Sequence, residues 1–281
     1  MTWMLLAILA MGAFANIMRY AQKRETSMVW AGTACYLTAA AACGCGWGLN
    51  REAALGWREV LFGTGSGATI LMGYFLFSDC IRQAGVGVAQ VFERLSMLVA
   101  AGISILLWKN APTLPLMLGL LLAIVSIPLV SQGSTVVQVS APRRKVAKLL
   151  MLLVITGVGS AILEAYRRST PENTMPLFLF CQYLAIALGC LSVGIWKRGR
   201  PSRRDILFGI ALGFANILFY YSCLRSLAPG RPGSVVFPTI AVGTILASTG
   251  GAAMLWGERY RRRTLIGMGL AVIALVLINV M

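Results

Sequence analysis

Glu93 and Arg94 stand side by side in the stretch VFERLSMLVAAGISILLW, which is otherwise almost wholly apolar. A carboxylate and a guanidinium in hydrocarbon can hold a charged part of a substrate, carry a proton, or pin two helices together. An ionisable side chain at the centre of a membrane helix costs about 3 kcal/mol by insertion scales. Glu93 stands about 10 Å into its run at 1.5 Å per residue, short of the centre. Adjacent residues of a helix point about 100° apart, and the neighbours that meet are three or four positions away. Glu93 and Arg94 are therefore expected to find separate partners. Arg19, near the end of the first apolar run, is the expected partner of Glu93. The alternatives are a static ion pair between two helices, or charges that reach the interface.

Other polar residues share the apolar runs. Asn16 lies on the face of Arg19 at i,i+3. Glu164 follows Ser160 by one turn and is a second candidate proton carrier. Its alternative place is the interface beside Arg167 and Arg168. Gly209, Gly213, Asn216 and Tyr220 form one stripe, whose glycines permit close helix approach. Asn216 and Tyr220 are then polar contacts for a substrate, or Asn216 makes a bond between helices.

These residues need helices to hold them. The chain has 281 residues, of which 58% are hydrophobic and 12% charged, with a mean hydropathy of +0.78. Soluble domains average about 25% charged residues, so the class is an all-α integral membrane protein. Apolar runs long enough to span a bilayer fall at 2–19, 29–48, 58–79, 86–107, 113–132, 147–167, 175–196, 205–226, 233–255 and 263–280. The first run lacks a basic segment before it and is read as a retained helix rather than a signal peptide.

The ten runs fall into two groups of five: residues 1–132, a linker over 133–146, and residues 147–281. The groups match in order. Arg58-Glu59 answers Arg204-Asp205, Gly63 answers Gly209, Gly67 answers Gly213, and Leu107-Trp108 answers Leu255-Trp256. An odd number of helices per repeat inverts the second half, so an inverted-topology 5+5 repeat is expected. Of the 25 Lys and Arg, 17 lie in the odd-numbered connections or at the helix ends that flank them. That bias puts those connections in the cytoplasm and both termini outside.

The net charge of +16 sits in these gaps without a nucleic-acid-binding motif, so no nucleic-acid partner is expected. The seven cysteines include no CxxC pair, and there is no histidine, so no zinc site is expected. Cys35, Cys43, Cys45, Cys80, Cys181, Cys190 and Cys223 read as small packing residues. Gly63-Thr64-Gly65-Ser66-Gly67 lacks the strand and lysine of a phosphate loop and reads as a packing surface. No cofactor and no enzymatic activity are expected, because no paired carboxylates, histidine cluster or activated nucleophile stands out.

The closing segment, Phe237 to Val280, resembles EamA-type transporters of the drug/metabolite transporter superfamily. Pro238 early in the ninth helix, Gly257-Glu258 at its end and Gly267 in the tenth carry the resemblance. It implies a bundle whose cavity is lined mainly by helices 1, 3, 4, 6, 8 and 9, and transport of small metabolites, often amino acids or amines, often outward. The first half departs from the pattern, with Glu93-Arg94 in place of Pro238-Thr239 and Lys109-Asn110 in place of Gly257-Glu258. The expected function is a secondary transporter of a small molecule in the plasma (inner) membrane, working by alternating access, with protons as a possible coupling ion and lipids as its surroundings. The substrate- or proton-binding candidates are Glu93, Arg19, Arg94, Asn16, Glu164, Asn216 and Tyr220. A flippase for a lipid-linked substrate is the rival, for which Arg94 and Arg231 would supply a headgroup site.

Overall fold

The structure is a computed structural model and describes residues 2–49, 56–84, 86–108, 113–131, 143–170, 174–227, 232–256 and 262–279. Among these residues there are ten helices and no strand: α1 Thr2–Lys23, α2 Met28–Leu49, α3 Trp57–Ala84, α4 Val86–Trp108, α5 Leu114–Ser131, α6 Arg143–Ser169, α7 Met175–Trp196, α8 Arg203–Ser226, α9 Gly233–Trp256 and α10 Arg262–Asn279. Each expected run falls within one helix, to within one residue at the ends of 113–132 and 263–280. Most of the linker, Arg231, Lys109-Asn110 and Gly257-Glu258 lie outside the described residues.

Helix is what these sequences must form in lipid, because only a helix satisfies every backbone N–H and C=O within its own segment. Five stretches are long and apolar enough to cross a membrane: Met28–Gly46, Trp57–Phe77, Ala147–Ser169, Met175–Trp196 and Arg203–Ser226. Shorter apolar stretches lie in α1, α5, α9 and α10. Large apolar side chains face outward along the helices, among them Leu9, Leu61, Leu106, Leu121 and Leu207. Their exposure would be costly in water and suits hydrocarbon.

The chain forms two compact units, and each draws on both sequence halves. The first comprises Met1–Leu71 and Ile162–Ala228, with α2 packed on α7 and α8, and α1 on α8. Glycines make its tightest crossings. A methyl group on Gly63 would lie 2.8 Å from Phe178 O and 3.3 Å from Gln182 N. One on Gly209 would lie 2.6 Å from Ala31 O and 3.1 Å from Cys35 N. Gly67 faces Gln182 O and Gly213 faces Cys35 O, each at 2.7 Å from such a methyl. The step from Ala31 to Phe178 equals that from Cys35 to Gln182, so the α3–α7 and α8–α2 crossings share one register. The glycine stretch of α3 is thus a packing surface.

One carboxylate organises an end of this unit. Ser202 and Asp205 form a capping box at the start of α8, in which Asp205 Oδ2 accepts Ser202 N–H at 2.9 Å. Its other oxygen accepts the N–H of Ser27, just before α2, also at 2.9 Å. Glu59 occupies the matching first-turn position of α3 and is buried, its carboxylate folded against Gly56. The α1–α2 turn passes through Glu25 in the left-handed region (φ 56°), and Thr26 N–H closes on Ala21 O at 3.2 Å.

The second unit comprises Met72–Ala161 and Pro229–Met281. Here α5 packs along α10 and α4 along α9. Ala123, Val242, Ala271 and Ala274 form a small-residue core. Gly119 lets α10 approach, since a methyl there would meet Ala274 O at 3.2 Å. Gly157 of α6 lies against Ser96 O and Val99 of α4 in the same way. Cys80, Leu149 and Leu152 form a further cluster with Leu76, Phe77 and Phe92. Beside it Lys148 of α6 pairs with Asp79 of α3.

Candidate functional site

The charged pair lies on α4, in the second unit. Arg94 is buried, with 7% of its surface exposed, while the Glu93 side chain keeps 24%. Against the expectation of separate partners, Arg94 Nε lies 3.6 Å from Glu93 Oε2. Side-chain length accounts for the difference. The two Cβ atoms diverge, but the three methylenes of arginine let its guanidinium swing back over its neighbour. At 3.6 Å the contact compensates charge without being a hydrogen bond. Arg94 Nη1 is buried and meets no hydrogen-bond partner.

The backbone beneath the pair is fixed. Ser96 is buried, and its hydroxyl donates to the carbonyl of Glu93. Ser96 O in turn abuts Gly157 of α6. The pair therefore sits next to one of the closest helix approaches in this unit. Arg19 lies in α1, and its side chain is outside the described residues.

In the first unit the stripe on α8 faces protein. Gly209 and Gly213 pack on α2, Asn216 is buried, and Tyr220 is partly buried. The bond between helices at Asn216 uses its backbone rather than its amide: the buried Tyr183 hydroxyl of α7 donates to Asn216 O at 3.1 Å. The amide oxygen of Asn216 is buried and meets no partner. Tyr183 is flanked by Tyr36, nearly parallel at 6.3 Å, and by Tyr220, edge-on at 6.1 Å. Asn16 turns its amide back to Gly12 O at 2.9 Å, within α1.

Glu164 is not at an exposed interface. Only 1% of it is exposed, and Arg168, one turn later, clasps it through Nη2 at 2.9 Å and Nε at 3.0 Å. Arg167 turns instead to the last turn of α8, where its Nε donates to Leu224 O at 3.2 Å. A guanidinium at the carbonyl end of a helix meets both the unsatisfied acceptors and the negative end of the dipole. This binds the end of α6 to the end of α8.

Sequence reasoning missed Gln182. It is fully buried on α7, accepts the Ser66 hydroxyl at 3.0 Å through Oε1, and leaves Nε2 without a partner. The signal was present, since Gln182 is the one amide in the run MPLFLFCQYLAIALGC. Asp205 as a cap for two helices was also missed, although Ser202-x-x-Asp205 is half of it. Six of the seven cysteines are buried, and Cys45 is exposed. Among the described residues, no group of three or more Cys, Asp or Glu could hold a metal ion.

The model of the EamA-like transporter family matches residues 1–132, the first five helices. No curated protein matches the chain. A solved crystal structure covers 99% of the chain, with 98% of its own length aligned, at a TM-score of 0.78 and 18% identity. At that identity the likeness is one of fold. Residues 1–132 are thus similar to the EamA-like transporter family, which belongs to the drug/metabolite transporter superfamily, and the ten-helix fold with its apolar exterior accords with that match.

Proposed function

We propose that this chain is a secondary transporter that moves a small polar or amphipathic metabolite outward across the plasma (inner) membrane by alternating access. In this reading all ten helices cross the bilayer as a 5+5 inverted repeat, with residues 1–132 and 147–281 as its halves. The observation that carries the reading is the repeated glycine crossing, Gly63 and Gly67 on α7 and Gly209 and Gly213 on α2, in one register. Two equivalent crossings from two halves of one sequence are what an inverted repeat produces. A near-symmetric pair of packings is also what lets such a protein exchange two states.

Packing among equivalent helices supports the same view, since α2 lies on α7, α4 on α9 and α5 on α10. The Ser27–Asp205 bond adds that the α1–α2 turn and the start of α8 lie at one end of their unit. Glu93 and Arg94 are proposed as the charged group that meets substrate, with Glu93 or Glu164 available to a coupled proton. Asn216 and Tyr220 are proposed as polar contacts.

Reconstitution tests this. Purified protein in sealed vesicles should exchange one or more radiolabelled metabolites from a panel of amino acids, amines, organic acids and nucleosides, and protein-free vesicles should not. Scrambling of a labelled lipid without exchange of any metabolite would replace this reading by the flippase.

A further inference from the structure

We infer that Arg94 recognises the substrate, and that it does so by taking an anionic group with two acceptor oxygens, a carboxylate or a phosphate, in exchange for Glu93. This rests on the transport reading and narrows it to a substrate class.

A buried donor without a partner is costly, about 1–3 kcal/mol and more for a charged group, and such groups in folded proteins call for a reason. Arg94 Nη1 is such a donor. Glu93 does not use it, because its nearest approach is to Nε, at 3.6 Å. Glu93 neutralises Arg94 from the Nε side and leaves Nη1 of the guanidinium without an acceptor. A guanidinium is a planar fork that matches the two oxygens of a carboxylate or phosphate, and a ligand of that shape would supply Nη1 with its acceptor. Inside the second unit, the packed helices α5 and α9 offer no competing charge: neither segment contains an ionisable residue. The nearby acid–base pair of α3 and α6, Asp79 with Lys148, is already matched.

Charge balance sets the form of the exchange. An anion added beside both Glu93 and Arg94 would leave a net negative charge in a low-dielectric site. An anion that replaces Glu93 as the counter-charge leaves the total at Arg94 unchanged. Glu93 is the more exposed member of the pair, so it is the one able to move aside. The resident carboxylate is therefore an internal competitor of the substrate. A competitor of this kind keeps the empty site neutral and the loaded site from holding its ligand too tightly, both of which a carrier requires.

The test is a binding titration on the purified full chain in detergent, followed by tryptophan fluorescence or calorimetry. Benzoate and inorganic phosphate are the probes, and benzamide is the neutral control. Benzoate binding alone identifies a carboxylate substrate, and phosphate binding alone a phosphorylated one. In either case benzamide should not bind. Arg94→Gln should abolish binding, and Arg94→Lys, which keeps charge but loses the fork, should weaken it about tenfold. Glu93→Gln should tighten it several-fold by removing the competitor. Should Arg94→Gln not fold, Arg94→Lys against Glu93→Gln carries the test, because the two must move affinity in opposite directions. Anion binding that survives unchanged in folded Arg94 variants, weakening by Glu93→Gln, or no anion binding to folded wild-type protein would each overturn the inference. Vesicle flux is read separately. Flux of a cationic or neutral metabolite without anion binding rejects this site and keeps the transporter, while anion binding without any flux does the reverse.

Discussion

Asp205 accepts the backbone N–H of Ser27 at 2.9 Å, a bond between residues 178 positions apart. The same carboxylate accepts the N–H of Ser202, so one buried acid caps the amide ends of α2 and α8 together. Both helix dipoles point their positive ends at it. Asp205→Ala removes two charge-assisted bonds and should cost about 2–4 kcal/mol of stability. Asp205→Asn keeps an acceptor oxygen and should cost about half as much. Thermal unfolding of the two variants in detergent measures the difference. Equal loss in both would mean that packing, not the double cap, fixes this corner.

That bond also orients connections in the membrane. It brings the α1–α2 turn and the start of α8 to one end of the first unit. Gly63 and Phe62 at the start of α3 lie instead by Phe178 and Tyr166, at the α6–α7 end. Cysteines introduced at Glu25 and Arg200 should be labelled from the same side by a membrane-impermeant maleimide, and one at Arg58 from the other. The background should replace the native cysteines, of which only Cys45 is exposed. Label reaching Arg58 and Arg200 from one side would contradict the inverted repeat. The positive-inside bias predicts that the Glu25 side is the cytoplasmic one, so impermeant label added outside intact cells should reach the Arg58 position and not Glu25.

The glycine crossings predict matched damage. Alanine at Gly63 or Gly209 places a methyl against backbone carbonyls that cannot yield. Each should cost about 1–3 kcal/mol through overpacking. Gly65, two residues from Gly63 and from Gly67 and so turned away from the crossing, has nothing within 4 Å of such a methyl. Gly65→Ala should be neutral or stabilise by up to about 1 kcal/mol, the helix preference of alanine over glycine. A melting temperature that falls as far for Gly65→Ala as for Gly209→Ala would detach these glycines from packing.

The buried amides separate binding from architecture. Gln182 Nε2 and Asn216 Oδ1 are buried without partners, so neither group is needed to complete the described hydrogen bonds around it. Asn216→Ala leaves the Tyr183 bond intact, since that bond ends on the backbone. The variant should fold, with a melting temperature close to wild type, and should weaken substrate binding if the amide contacts substrate. Gln182→Met loses the Ser66 bond but also a desolvated amide N–H group, and its stability should change by less than about 1 kcal/mol. Loss of folded protein from Asn216→Ala would make that amide structural.

How much of this was legible in the sequence follows from the range of each interaction. Helix positions were legible because lipid leaves a single solution for an apolar run, and ten runs became ten helices. The α8 glycines were legible because small residues four apart mark a close approach, although the partner, α2, was not. What failed was the inference at Glu93 and Arg94. Spacing rules describe where Cβ atoms point, and a long flexible side chain is free to depart from them. The alternative offered for Glu164, an exposed place at the interface, did not hold for a related reason: Arg168 folds back to pair with it, and the carboxylate is buried. Gln182 and the second bond of Asp205 depend on which helix lies opposite, a property of the packed chain rather than of any local stretch.

The charged pair itself yields the last prediction. Glu93→Gln removes the only described counter-charge within 4 Å of the Arg94 guanidinium, and it leaves a buried cation behind. Breaking a buried pair by removing one partner is strongly destabilising, by about 3–5 kcal/mol when both groups are fully buried. Glu93 keeps part of its surface exposed, so the loss here should be smaller, about 1–2 kcal/mol. Arg94→Gln leaves a carboxylate that can turn toward solvent and should cost less than Glu93→Gln. The double variant, Glu93→Gln with Arg94→Gln, retains hydrogen-bonding side chains and no charge. It should recover most of the stability lost in Glu93→Gln, and the non-additivity measures the coupling between the two residues. Melting curves of the four proteins give the thermodynamic cycle, and vesicle flux of the same four gives the functional one. A pair that serves transport should leave the double variant stable and inactive. A stable double variant that still carries substrate at the wild-type rate would reduce the pair to a structural feature of α4.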